Sequence, residues 1–102
     1  MEQKLISLPK LNNLQPTLES TTLKILEEAG ELAQAIGKFR GLNGEPTKLA
    51  PDEVLSLITK ELLDVAQTAV TMMYVLEEQY GVNLENALKE HIEKLKSKKY
   101  LI

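Results

Sequence analysis

Between Leu62 and Leu76 the chain is almost wholly apolar, and Asp64 is the only charged side chain inside that run. The run is too long for an ordinary strand and does not alternate with period two. Its polar residues instead recur at helical spacing, because Glu61, Asp64, Thr68 and Thr71 fall on one face of a helix. This segment therefore folds as a helix built for burial, with one narrow polar stripe. A carboxylate in such a setting is costly unless a cation meets it. The stripe implies an internal cleft, or contact with the polar face of a neighbour.

Flanking signals extend the helix from Pro51-Asp52-Glu53, where Pro and acids suit a first turn, to Tyr80, with Gly81 as the stop. An earlier helix is expected from Pro16 to about Phe39. Ile25, Leu26, Ala29, Leu32, Ala33 and Ile36 form its apolar stripe, and Lys24, Glu27, Glu28, Glu31 and Lys38 lie opposite. The Gly- and Pro-rich stretch 37–51 reads as the connecting loop. Asn83 is the expected N-cap of a last helix, "LENALKEHIEKLKSK". Residues 1–15 show no periodicity and read as an irregular arm. The expectation is one all-α domain over 1–102, an antiparallel helical bundle of three main helices. Three helices of unequal length rarely bury a long apolar rod completely, so either the N-terminal arm supplies the missing cover or another subunit does. A homo-oligomer, dimer or tetramer, is expected to complete the bundle.

Composition narrows the function classes. A net charge of −3 argues against broad nucleic-acid binding. The absence of Cys removes disulfides and thiolate metal sites and fits a cytoplasmic setting. No signal sequence opens the chain, and the longest apolar run is too polar for a membrane span.

Two acid pairs carry the chemistry: Glu28-Ala-Gly-Glu31 and Glu61-Leu-Leu-Asp64. Residues three apart on a helix can reach one ion. Spacing alone decides little, since 15 acids in 102 residues give about two such pairs by chance. Context separates them. A third pair, Glu90 and Glu93, sits among Lys89, Lys94 and Lys96 and reads as a solvated, salt-bridged face. Glu61 and Asp64 stand on the helix otherwise made for burial, and an antiparallel return brings Glu28 and Glu31 to them. Four carboxylates in one cleft repel unless cations or protons intervene. An all-oxygen ligand set selects hard ions, Mg²⁺ or Mn²⁺, and leaves Mg²⁺ coordination positions for phosphate oxygens.

At these residues the chain resembles a family. "LKILEEAGELAQAIGK" followed by "ITKELLDVAQTAVTMM" is similar to the E-x-x-E and E-x-x-D helices of MazG-like all-α nucleoside triphosphate pyrophosphohydrolases. "YGVNLENAL" leads into the last helix in the same way, so the resemblance spans roughly residues 20–99. It implies hydrolysis of an NTP or dNTP to a monophosphate and pyrophosphate, with Glu28, Glu31, Glu61 and Asp64 holding Mg²⁺. It also implies that Lys94 and Lys98 on the last helix meet the phosphates, with Lys98 standing where Arg is frequent. Glu27 is the candidate to orient or deprotonate the attacking water. With no Trp, the candidates for base stacking are Phe39, Tyr74, Tyr80 and Tyr100.

Two rival readings accompany this one. A phosphoribosyl-ATP-type pyrophosphohydrolase keeps the site and changes the substrate. A non-catalytic helical interaction module would turn the carboxylates toward a partner's basic residues. A di-iron bundle wants Glu-x-x-His pairs, and His91 directly follows Glu90, so that chemistry is set aside.

Overall fold

A computed structural model of the chain describes residues 1–42, 44 and 49–102. It contains three helices: α1 over Leu18–Arg40, α2 over Pro51–Tyr80 and α3 over Leu84–Ser97. Among the described residues there is no strand, and the all-α expectation holds. The middle of the expected 37–51 loop, at 43 and 45–48, lies outside the described residues.

Local signals set the helix ends. Thr17 is the N-cap of α1, accepting from the Ser20 backbone N–H while the Ser20 hydroxyl accepts from Thr17 in return. Pro16 thus sits just before the cap and not in the first turn. Pro51 opens α2, where its missing N–H has no helical partner to lose. Gly41 and Gly81 close α1 and α2 at φ values of 67° and 64°, the left-handed region that Gly enters without a Cβ penalty. The Asn83 side chain caps α3 by accepting from the Asn86 N–H at 3.0 Å.

α1 and α2 form an antiparallel pair. The Gln79 amide donates to the Pro16 carbonyl at one end, and Glu31 faces Glu61 further along, so the paired positions run in opposite directions. The apolar core is small: among the described residues, Ala35, Val54 and Val75 are the buried apolar side chains. Thr21, Glu28, Thr68 and Thr71 are buried beside them, so half the interface between the helices is polar.

The expected apolar stripe of α1 is divided. Ile25 and Leu32 are half-buried, whereas Leu26, Ala29, Ala33 and Ile36 are exposed. The helix is rotated so that Thr21, Glu28 and Ala35, one residue every seven, face α2. Leu26 is 66% exposed as a result. The reverse face of α2 is apolar as well. Leu55, Leu62 and Met73 lie on one stripe and are 47%, 52% and 44% exposed. α3 carries Leu84, Leu88, Ile92 and Leu95 on one side but buries no residue fully. The radius of gyration, 16.8 Å, exceeds the roughly 13 Å of a compact domain of this length.

Residues 1–16 carry no helix or strand, and their second half lies along α2. The Gln67 amide Nε2 donates to the Pro9 carbonyl at 2.9 Å. Lys10 pairs with Glu78 and lies 5.6 Å from the centre of the Tyr74 ring. Both of the alternatives for covering α2 leave their mark: the arm covers part of its polar side, and its reverse apolar face stays open.

Candidate active site

Carboxylate oxygens of Glu28, Glu31 and Glu61 lie within 4.8 Å of one another. Glu28 is buried, Glu61 half-buried and Glu31 exposed. Glu28 and Glu31 are neighbours on α1, and the antiparallel return of α2 brings Glu61 to them. One oxygen of Glu28 and one of Glu61, both Oε2, are buried without a hydrogen-bond partner. A buried anionic oxygen left unmet is destabilising, and three carboxylates this close form a group that could hold a metal ion.

Asp64 does not join that trio. It is exposed and lines a neighbouring cleft together with Glu28. The expectation of a buried Asp64 needing a cation is thereby corrected: one turn beyond Glu61, the side chain reaches solvent at the cleft wall. The acid that is buried is Glu28, and the cation that meets it is Lys24, whose Nζ lies 3.1 Å from Glu28 Oε1 and 3.6 Å from Glu27 Oε1. Sequence reading placed Lys24 on the solvent face and assigned it no role. Its spacing four residues before Glu28 was the available signal.

The electrostatics follow from this crowding. The Glu28 charge, with some desolvation and a hydrogen bond shared with Glu61, raises the Glu31 carboxyl above its ordinary value. The hydrogen bond to Glu28 and the Glu27 charge raise the Lys24 ammonium. The trio without a cation therefore favours a proton on Glu31, the response expected of a site short of positive charge.

The cleft has a volume of about 390 Å³, within the range of small-molecule sites. Its walls are Thr21 and Lys24 from α1 and Asp64, Gln67, Thr68 and Thr71 from α2. Leu11, Leu14 and Pro16 of the arm close one side. Sequence reading called the arm irregular and gave it no part in the site. Of the polar stripe that implied a cleft, Asp64, Thr68 and Thr71 line this one, whereas Glu61 does not. Glu27 is exposed and pairs with Lys24. Lys94 and Lys98 do not line the cleft; Lys94 lies in the last turn of α3 and Lys98 is its C-cap. None of Phe39, Tyr74, Tyr80 and Tyr100 lines it either. Tyr74 borders the adjoining groove under Lys10, and Phe39 packs beside the Arg40 guanidinium.

The MazG nucleotide pyrophosphohydrolase domain matches residues 16–100, which span α1, α2, α3 and every acid of the trio. The chain belongs to this MazG family. The chain is also 35% identical over 74 residues to the Bacillus subtilis (strain 168) protein named "Uncharacterized protein YvdC". That match covers 70% of the chain and 65% of the relative's length, so the chain spans a little under two thirds of the curated relative. No solved structure matches it. No described helix is long and apolar enough to cross a membrane.

Proposed function

We propose that this chain is a Mg²⁺-dependent nucleoside triphosphate pyrophosphohydrolase, cleaving an NTP or dNTP between its α- and β-phosphates to a monophosphate and pyrophosphate. The observation that carries this reading is the meeting of Glu28, Glu31 and Glu61, with two buried, unpartnered oxygens, beside a cleft of about 390 Å³ that Glu28 also lines.

The donor set fits the ion. Carboxylates from two helices, with Asp64 close by on the cleft wall, offer only hard oxygens, which suit Mg²⁺ with Mn²⁺ as substitute. Mg²⁺ bound there supplies Lewis-acid polarisation of phosphate oxygens and a lowered pKa for bound water. The protein's own residues do the rest. Glu28 and Glu61 stand on facing helices with carboxylate oxygens close enough to share a cation. Glu31 completes the acid set on α1, and the exposed Glu27 beside it, paired with Lys24, is the candidate to orient or deprotonate the attacking water. Water adds its oxygen to the α-phosphorus, the α–β bridging bond breaks, and pyrophosphate leaves with the bond's electron pair. Lys24 lies beside the acids with half its side chain exposed, free to turn from Glu28 to a phosphate oxygen once a cation takes that carboxylate.

Lys94 and Lys98 are assigned the phosphates in an assembly of copies, since neither lines the cleft of its own chain. The same assembly covers the open faces of α1, α2 and α3, and the functional unit is a homodimer or homotetramer. A nucleotide, and not a nucleic acid or a membrane, is the partner. A cytoplasmic setting fits the Cys-free sequence.

The test is pyrophosphate release from a panel of NTPs and dNTPs with and without Mg²⁺. Asp64→Asn and Glu31→Gln, each checked for helical content and melting, should lose at least a hundredfold in kcat/KM. Undiminished turnover by either variant would remove the acids from the reaction.

A further inference from the structure

The cleft has four hydroxyl groups in its walls, and none has a proton to spare. Thr21 Oγ1 donates to the Thr17 carbonyl at 2.7 Å, Thr68 Oγ1 to the Asp64 carbonyl at 3.0 Å and Thr71 Oγ1 to the Gln67 carbonyl at 2.9 Å. The Ser20 hydroxyl donates to the Thr17 carbonyl and accepts from the Thr17 N–H. Each threonine is a buried helix residue whose hydroxyl hydrogen is committed to the preceding turn. A hydroxyl in that state offers a ligand lone pairs only.

Gln67 adds to the bias. Its Nε2 is held by the Pro9 carbonyl of the arm, which fixes the amide's orientation and leaves Oε1 as its acceptor end. Lys24 is the cationic donor in the walls, and it stands with Glu28 at the acidic end, where phosphates go. Gln15 can present either edge of its amide and selects nothing. From Asp64 to Thr71 the wall rises two helical turns, about 10 Å, from the acids toward the apolar cover of Leu11, Leu14 and Pro16. The flat apolar faces of a base fit that cover, and its polar edge then meets acceptors.

We propose that the cleft selects nucleotides whose base bears an exocyclic amino group, cytosine or adenine, over keto counterparts at the same position, with Thr21, Thr68, Thr71 and Gln67 Oε1 as the specificity-determining acceptors. Cytosine N4 and adenine N6 are donors, whereas O4 of uracil is an acceptor. A keto oxygen placed against this wall loses its water without gaining a donor, and buried acceptors facing one another are unfavourable. The proposal rests on the pyrophosphohydrolase reading and adds to it which triphosphates are used.

The experiment compares kcat/KM for two pairs that differ at one position of the base: dCTP against dUTP, and dATP against dITP. The full chain is used with saturating Mg²⁺. The amino member of each pair should be favoured by roughly tenfold or more. A ratio below about threefold in either pair, or a reversed one, overturns the preference. Thr71→Val keeps the shape and removes the acceptor. It should raise KM several-fold for dCTP and dATP and leave dUTP and dITP unmoved, whereas a loosened cleft would affect all four alike. Equal losses across the panel overturn the role of Thr71. Should none of the four be cleaved by folded protein, the pyrophosphohydrolase reading itself fails and the preference falls with it; cleavage of all four at equal efficiency removes the preference alone.

Discussion

Glu28→Gln should make the metal-free protein more stable while abolishing its response to Mg²⁺. Glu28 is only 6% exposed, and its Oε2 is buried without a partner. An unmet buried polar group costs about 1–3 kcal/mol, and more when charged. A glutamine of nearly the same shape removes the charge, and its amide can donate to the neighbouring Glu31 or Glu61 carboxylates. The loss is the Lys24 contact, in which Lys24 is half exposed and screened by solvent, so it offsets little. The net gain should be about 1 kcal/mol, which in a domain of this size raises the melting midpoint by about 4–8 °C. Wild-type protein should respond to Mg²⁺ instead: at tenfold excess over its dissociation constant the ion adds about 1.4 kcal/mol. The assay is thermal denaturation of both proteins in EDTA and in Mg²⁺. A Glu28→Gln protein that melts below wild type in EDTA would show that the carboxylate is a structural partner of Lys24. One that keeps the full Mg²⁺ shift would show that the ion binds elsewhere.

Lys24→Met, which keeps the aliphatic stem, should tighten Mn²⁺ binding several-fold in a nucleotide-free titration, because the ammonium competes for Glu28; unchanged or weaker binding counts against that competition. Glu31 gives a pH signature: its folded-state carboxyl is raised, so between the unfolded and folded values the native protein holds the extra proton. Stability in EDTA should therefore fall as pH rises through that window and level off above it, and melting in excess Mg²⁺ should not show the fall. Val54→Ala deletes two methyl groups from the most buried side chain, 1% exposed, and should cost about 2 kcal/mol in chemical denaturation. Light scattering should report a mass of at least two chains, and Leu62→Glu, on the open face of α2, should lower it without moving the helices' circular dichroism.

The helices were legible because their signals are local. Thr17, Gly41, Pro51, Gly81 and Asn83 act within one turn of the chain; α2 begins and ends, and α3 begins, where those residues put them. The rotation of α1 was not legible. Its apolar residues outnumber one face, and hydrophobic periodicity cannot tell which of two apolar sides meets α2. Thr21 and Glu28 take the inner side, where they line the cleft with residues of α2, and apolar periodicity carries no signal for buried polar groups. Glu28, which a helical wheel puts toward solvent, is the buried acid, and Asp64, which composition puts inside, is exposed. Lys24 and the arm were missed for different reasons. A lysine four residues before a glutamate reads as a surface pair unless the glutamate is known to be buried, and the arm's part in the cleft depends on glutamine contacts 58 and 63 residues distant in sequence.

The site and the apparent weakness of the fold have one cause. An antiparallel helix pair ordinarily fills its shared face with Leu, Ile and Val. Here that face is occupied by Thr21, Glu28, Glu61, Thr68 and Thr71, leaving Ala35, Val54 and Val75 as the buried apolar contacts. Apolar residues displaced from the shared face stand on the outside, as Leu26 on α1 and Leu55, Leu62 and Met73 on α2. A pair of helices built this way buries little apolar surface of its own, which is why the proposed homo-oligomer is placed on the outward faces. If the proposed catalysis and the proposed assembly both hold, they are one requirement: filling the cleft with leucines should weaken assembly and remove the reaction together.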